Sequence, residues 1–362
     1  MIISSISIIK KLIILFLVIA GLYFAKDFLI PLSIGAVLAT LLLPFSNWLE
    51  SKKIPRGLAA FCSVLVIIFL IGFVFALIGW QVAELTNDIT LIKEKAMESI
   101  NRIQEFIFNH LGISAEQQSQ VLKDQQPSMN GILSQLAGST LSIFTSMILV
   151  LVYISFLLYY RRHIKQFILQ LSPISERAEM EQVVLNATHV SQQYLLGLAK
   201  MIVCLWIMYS IGFSVVGVES AIFFAILCGL LEIVPYIGNI TGTTLTVFVA
   251  AVHGASFPLL GGIVVTYAIV QLIQGWILEP IILGPQVKIN PLFTIISLVM
   301  GELIWGIPGI ILAIPLIAMF KIVCDHIDSL KPIGFLIGEL ETKKSELSYV
   351  KKLKNWYKRK FN

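Results

Sequence analysis

The chain has 362 residues, of which 57% are hydrophobic and only 13% are charged, and its mean hydropathy is +0.89. A soluble domain carries about 25% charged residues, so this composition excludes a soluble enzyme or a soluble binding module. The net charge of +5 comes from basic residues at the ends of apolar segments and does not indicate a nucleic-acid surface. We therefore expect an all-α protein that crosses a membrane several times.

Apolar segments near the length needed to cross the hydrocarbon, about 20 residues, follow one another along the chain. For the first of them a signal peptide is the alternative, because Lys10 and Lys11 precede it, but no convincing small-residue cleavage site follows. We predict about six full spans, at 12–25, 29–49, 58–81, 138–160, 200–217 and 257–283.

Basic clusters at the ends of these spans predict the orientation of the chain. Lysine and arginine close to a span end are retained on the cytoplasmic side. All the clusters can be cytoplasmic at once, which places the N-terminus and the basic C-terminal tail inside and the segment 83–137 outside. The clusters are Lys10 and Lys11, then Lys52, Lys53 and Arg56, then Arg161, Arg162 and Lys165, and finally the terminal KKLKNWYKRK.

The same pattern divides the chain into six regions. Apolar residues recur every three or four positions from 81 to 109, which predicts an amphipathic helix and a small extracytoplasmic helical stalk. The regions are 1–82, the N-terminal membrane spans; 83–137, the stalk; 138–160, the fourth span; 161–199, a cytoplasmic linker helix; 200–322, a transport region; and 323–362, a basic cytoplasmic tail.

Two segments of the transport region are too interrupted to be ordinary spans. Both 220–253 and 291–320 consist of two short apolar arms around a Gly/Pro break. Since the chain enters and leaves this region in the cytoplasm, the number of complete crossings must be even. We therefore predict that both segments are re-entrant helical hairpins whose tips approach each other near the middle of the membrane. A set of short kinked spans is the alternative.

Three glutamates lie beside breaks in these predicted helices. A carboxylate at the centre of a span costs about 3 kcal/mol, so Glu232, Glu279 and Glu302 should each have a partner or a function. Broken helices free backbone groups that can bind an ion or a polar solute, although each glutamate could instead cap a helix end. The predicted transport-site residues are Glu232, Pro235, Tyr236, Gly238, Asn239, Glu279, Pro280, Gly301, Glu302, Gly306, Pro308 and Gly309.

The sequence contains no pattern of catalytic or metal-binding residues. The five histidines are dispersed, the four cysteines lack metal-ligand or disulfide spacing, and HExxH, GxSxG and Walker motifs are absent. We expect the protein not to be an enzyme and to hold neither a metal nor a cofactor.

Several short motifs, rich in glycine and proline, follow one another in the second half of the chain. They are QYLLG at 193–197, IVPYIG at 233–238, QLIQGWILEPIILG at 271–284, NPL at 290–292, GELIWGIPG at 301–309 and AIPL at 313–316. Together they resemble the motifs of the autoinducer-2 exporter family of bacterial membrane proteins. The resemblance implies a pentameric, elevator-like secondary transporter of the bacterial inner membrane with re-entrant hairpins. Where family members often have glutamine and proline, this chain has Leu198 and Asn239, a departure that concerns the substrate more than the fold.

Members of that family are implicated in export of a furanone used in quorum sensing, and others in sodium/proton exchange. We accordingly predict a secondary active transporter that exports a small polar solute or signalling molecule, coupled to a proton or sodium gradient. A sodium/proton antiporter is one alternative, and a channel or a non-transporting membrane scaffold is another. The expected partners are membrane lipids, the transported solute or ion and further copies of the chain, but no nucleic acid.

Overall fold

The computed structural model describes residues 5–86, 129–235, 237–284 and 288–339. Within these ranges the chain is helical apart from short connections and one isolated β-bridge, which confirms an all-α polytopic membrane protein. The helices are α1 (Ser5–Phe24), α2 (Lys26–Ser51), α3 (Arg56–Thr86), α4 (Met129–Gln170), α5 (Arg177–Val216), α6 (Ala221–Leu231), α7 (Ile237–Val252), α8 (Phe257–Ile273), a π-helix (Gln274–Leu283), α9 (Pro291–Trp305), α10 (Ile307–His326) and α11 (Lys331–Ile337).

Among the described residues, six helical segments are long and apolar enough to cross a membrane. The number of spans agrees with the prediction, but one of the predicted spans is replaced by another helix. The apolar part of α1, Leu12–Phe24, belongs with the shorter helices, whereas α10 has the length of a span. The predicted hairpin arm ended at residue 320, and α10 is longer because Ile322, Val323 and Cys324 extend its apolar sequence beyond Lys321.

The first three long helices, α2, α3 and α4, pack into one bundle. Its buried centre includes Leu42, Val64 and Ile154. Gly35 allows α2 to approach α4 closely, because a Cβ at this position would lie only 2.9 Å from the Cβ of Tyr153. Small residues serve this purpose in membranes, where helix association depends on close packing instead of on a hydrophobic driving force.

Helix α5 joins this bundle to the transport region. It runs for 40 residues, so the predicted linker helix and the predicted fifth span are continuous from Arg177 onward. Its residues Leu205, Tyr209 and Phe213 are fully buried against α6 and α8. The helix ends at Gly217, whose φ of 86° places it in the left-handed region, and the Gly217 amide donates to the Phe213 carbonyl across 3.1 Å.

Helices α6 and α7 form the first helical hairpin. Its two ends lie side by side, because residues 217–220 and 253–255 line the same cavity. The chain therefore reverses direction between α6 and α7, as a re-entrant hairpin and a pair of short spans both require. The arms approach closely at Gly238, where a Cβ would collide with the carbonyl of Leu231.

Helices α9 and α10 form the second hairpin, which turns at Gly306. With φ at 63° and ψ at −142°, Gly306 has a backbone conformation that residues with a side chain rarely adopt. Just beyond the turn the arms touch through glycine, since a Cβ on Gly301 would lie 2.5 Å from the Gly309 carbonyl oxygen. The tip lies against α1, where the Trp305 indole donates to the Leu22 carbonyl across 2.9 Å.

The base of this second hairpin is bound to the C-terminal part of the chain. Asn290 caps α9 by accepting from the Phe293 amide, and its own side-chain amide donates to the carbonyls of Leu336, across 2.7 Å, and Gly338. The predicted stalk at 83–137 lies largely outside the described residues, as do residues 340–362 of the tail. The domain division and the orientation in the membrane remain predictions.

Candidate functional site

The candidate site lies where the tip of the first hairpin meets the junction of α8 and the π-helix. Residues after α6 form a series of tight turns, in which the Val234 amide donates to the Leu231 carbonyl and the Gly238 amide to the Val234 carbonyl. Pro235 has no amide hydrogen and cannot continue a helix, which explains why the break occurs here. These turns place Glu232 at the end of α6 and Asn239 in the first turn of α7.

Glu232 is buried and held by Gln274. Only 5% of Glu232 and 2% of Gln274 are exposed, and Gln274 Nε2 donates to Glu232 Oε1 across 2.6 Å. The same Nε2 lies 3.5 Å from Glu279 Oε1, so one amide serves two carboxylates. Gln271 extends this series of hydrogen bonds, because its side-chain amide donates to Gln274 Oε1 across 3.2 Å. The arrangement orients Glu232 without neutralising it.

Three buried oxygens on the first hairpin have no hydrogen-bond partner among the described residues. They are Glu232 Oε2, Asn239 Oδ1 and Thr243 Oγ1. Buried polar groups are normally satisfied, because leaving one unpaired costs about 1–3 kcal/mol. Buried oxygens without partners are therefore typical of a site that binds a cation, a proton or a hydrogen-bond donor, and two of the three belong to residues that line one cavity, Glu232 and Asn239.

The π-helix explains how Gln274 and Glu279 come to share one environment. It spans Gln274–Leu283 and contains Pro280, and the Gly284 amide donates to the Glu279 carbonyl five residues earlier. Proline cannot supply the π-helical hydrogen bond from position 280 to the Gly275 carbonyl, which is thereby left without this donor. Short π-helices occur frequently at functional sites, since they widen the helix and turn side chains by part of a turn.

Glu232, Asn239, Gln274 and Glu279 line a cavity of ≈ 420 Å³. Tyr194 and Leu198 of α5 form one wall, and Leu298 and Ile314 of the second hairpin form another. Lys288 and Glu339 line it near the base of the second hairpin, where the Glu339 amide donates to the Lys288 carbonyl across 3.3 Å. The cavity thus combines apolar walls with carboxylates, amides and one lysine.

The structure brings some of the predicted site residues together and places others elsewhere. Glu232, Pro235, Asn239, Glu279 and Pro280 all line the cavity. Gly238 lies behind them in the contact between α6 and α7, and Tyr236 lies outside the described residues.

The predicted residues of the second hairpin are not among those that line the cavity. Gly301 and Gly309 pack against each other, and Gly306 forms the turn. Pro308 lies in the first turn of α10. Glu302 was predicted to be a buried acid, but it is exposed at the surface of this chain, on the same side of α9 as the exposed Val299 and Leu303.

Sequence reasoning missed several residues that line the cavity. Gln271 and Gln274 were noted only as part of a family motif, and Tyr194, Lys288 and Glu339 were not considered as site residues. The two glutamines carried a signal, because two amides three residues apart on one face of an apolar helix are costly in a membrane. Lys288 and Glu339 gave no such signal, since basic and acidic residues are ordinary outside the hydrocarbon.

Comparison with known proteins agrees with this architecture. Residues 12–329 match the model of the AI-2E family transporter. This chain belongs to the AI-2E transporter family. YrrI of Bacillus subtilis (strain 168), provisionally named a transport protein, is 26% identical over 330 residues, which cover 83% of this chain and 87% of YrrI. YueF of the same strain, named in the same way, is 27% identical over 317 residues, covering 82% of this chain and 84% of YueF.

A third relative carries a more specific name. TqsA of Escherichia coli (strain K12), named an AI-2 transport protein, is 21% identical over 330 residues, which cover 90% of this chain and 94% of TqsA. The family resemblance read from the motifs is thus confirmed, and the chain is a multi-pass membrane protein of a bacterial transporter family.

Proposed function

We propose that this protein is a secondary active transporter that exports a small polar solute or signalling molecule, with transport coupled to a proton or sodium gradient. The observation that carries the proposal is Glu232, a buried carboxylate that is oriented by Gln274 and has one oxygen unpaired among the described residues. Glu232, Glu279 and Asn239 would form the coupling site at the tip of the first hairpin.

The electrostatics of Glu232 support cation or proton coupling. A buried carboxylate is costly unless a positive charge or a proton neutralises it, and within the described ranges Glu232 has no ion-pair partner. A coupling ion would supply that charge while contacting Glu232 Oε2. The partners already present are neutral amides and leave the carboxylate charge uncompensated. A coupling ion would therefore bind tightly in one state and would be released when the tip of the hairpin moves.

The cavity supports a small polar solute. Its volume of ≈ 420 Å³ falls within the range of about 300–1,000 Å³ that is usual for small-molecule pockets. Gln271 and Tyr194 would offer polar contacts, and Leu198 and Leu298 an apolar wall. The name of the relative TqsA supports a signalling molecule as one class of solute. We further propose a homopentamer in the bacterial inner membrane with both termini in the cytoplasm, on the family resemblance and the basic clusters.

A sodium/proton antiporter is the second candidate. It is favoured by the shared use of Gln274, since two carboxylates that depend on one amide could hold a cation in one state and protons in another. This candidate requires no organic solute in the cavity. A channel would need no coupling gradient, and a scaffold would need neither carboxylate.

The test is flux into proteoliposomes with imposed proton and sodium gradients and a panel of small polar solutes. Glu232→Gln keeps the size and much of the hydrogen bonding of the side chain while it removes the charge, and we expect at least a tenfold loss of gradient-driven flux. Glu302→Gln is the matched control, because Glu302 is exposed and does not line the cavity, and it should retain near wild-type flux. Equal flux in both variants would reject coupling through Glu232. Cation exchange without solute flux would favour the antiporter.

A further inference from the structure

Another cavity, which shares no lining residue with the candidate transport site, lies where the connection after α2 enters α3 and α4 passes beside it. Its volume is ≈ 470 Å³, and it is lined by Pro55, Arg56, Gly57, Tyr159, Tyr160, Arg162 and His163. The lining residues include two arginines, a histidine and two tyrosines, and none of them is acidic. This combination is typical of a site for an anion at the surface of a membrane.

The nearest carboxylate is already engaged. Arg161 binds Glu50 across 2.5 Å and also donates to Asn47 Oδ1 and the Leu158 carbonyl, and it is only 15% exposed. Arg162 lies 3.2 Å from the other Glu50 oxygen, and Arg56 lies 4.0 Å from it. One carboxylate therefore faces three guanidinium groups, which leaves an excess of positive charge. The side chains of Arg56 and Arg162, 48% and 59% exposed, remain accessible to an anion.

The surroundings of this cavity favour a lipid over a soluble anion. Tyr159 and Tyr160 are about half exposed, and tyrosines concentrate at the level of the lipid head groups. One turn further into each helix, towards the middle of the span, Phe61 of α3 and Phe156 of α4 are 57% and 56% exposed. The positive cavity therefore continues into an apolar surface, an arrangement that fits a phosphate group attached to acyl chains.

We propose that this cavity binds the head group of an anionic phospholipid, with Arg56 and Arg162 contacting its phosphate, Tyr159 and Tyr160 at its glycerol level and the acyl chains along α3 and α4. The lipid would tie the start of α3 to α4 at the membrane surface. The proposal is independent of the transported solute, because none of these residues lines the candidate transport site.

The experiment titrates the purified full-length protein in neutral detergent with phosphatidylglycerol and counts bound lipids by native mass spectrometry. The test variant is Arg56→Gln/Arg162→Gln, and the matched control is Arg177→Gln, an exposed arginine at the start of α5 that does not line the cavity. We expect the double variant to bind phosphatidylglycerol at least tenfold more weakly, since each arginine near anionic lipid contributes about tenfold or somewhat less. The control should bind as the wild type does.

Two further arms identify the ligand. Phosphatidylcholine should bind much more weakly than phosphatidylglycerol, and inorganic phosphate at equal concentration should not displace the lipid. Efficient displacement by phosphate would assign the cavity to a free anion, and equal binding of phosphatidylcholine would remove the role of charge; either result overturns the proposal. So would equal weakening by Arg177→Gln. If the double variant does not remain monodisperse, Arg56→Gln alone gives the same comparison, because within the described residues Arg56 forms one ion pair, the long one of 4.0 Å to Glu50.

Discussion

Gln274 donates a hydrogen bond to Glu232 across 2.6 Å, although 42 positions separate the two residues in the chain. The contact joins the tip of the first hairpin to the start of the π-helix. It gives the buried carboxylate one neutral partner, and the second carboxylate oxygen has no hydrogen-bond partner in the part of the chain that the structure describes. Two elements that are far apart in the chain are therefore connected at the proposed coupling site.

Replacing Gln274 with leucine should destabilise the protein and reduce coupled flux. Among the described residues, the change leaves both oxygens of a buried carboxylate without a partner, which costs about 1–3 kcal/mol. Thermal unfolding in detergent and proteoliposome flux would be measured together. Gln271→Leu is the graded control, since Gln271 donates to Gln274 and the hydrogen bond to Glu232 comes from Gln274. An equal or larger effect of Gln271→Leu would contradict the conclusion that Gln274 holds Glu232 directly and that Gln271 acts through Gln274.

Replacing Gly306 with alanine should strain the turn of the second hairpin. A residue with a side chain in that backbone conformation costs about 1–3 kcal/mol, so a lower midpoint of thermal unfolding is expected. Gly261→Ala is the control, because Gly261 lies in α8 with open space around it and no positive φ. Since alanine favours helix over glycine, the control should be neutral or slightly stabilising. Equal destabilisation by both changes would rule out a special role for the Gly306 backbone.

Replacing Asn290 with alanine should loosen the C-terminal part of the chain. The substitution removes the cap of α9, worth about 1 kcal/mol, together with two hydrogen bonds to the Leu336 and Gly338 carbonyls. Amide hydrogen exchange in residues 331–338 should accelerate about tenfold or more. Ser297→Ala, which removes only a bond within α9, should leave that segment unchanged. Unaltered exchange in Asn290→Ala would show that α11 is held by its apolar contacts alone.

Replacing Leu198 with glutamine should alter solute preference. Leu198 and Asn239, the two positions at which the chain departs from the family pattern, both line the same cavity. A new amide on the apolar wall would favour solutes with more hydrogen-bonding groups, by roughly tenfold if one buried hydrogen bond is gained. Competition between solutes in proteoliposomes measures the shift. Leu196→Gln, at an exposed position of the same helix, should not change the ranking of solutes.

Much of the fold was predictable because it depends on local properties of the chain. Apolar runs define the helices, and the breaks at Pro235 and Gly306 follow from the missing amide of proline and the free backbone of glycine. The family motifs at 233–238 and 271–284 also indicated where the candidate site would lie. The length of α10 was underestimated, because Lys321 was taken as the end of an apolar run that continues beyond it.

Hydropathy and backbone freedom are properties of short segments, so they were enough to predict the class of the protein, the series of helices and the two hairpins. Which glutamate is buried depends instead on how the helices pack in three dimensions. Glu232 and Glu302 look alike in sequence, each beside a glycine- and proline-rich break, yet α6 turns Glu232 towards Gln274 while α9 turns Glu302 outward. The choice depends on which helix faces pack against each other, and packing joins residues such as Glu232 and Gln274 that no local pattern connects.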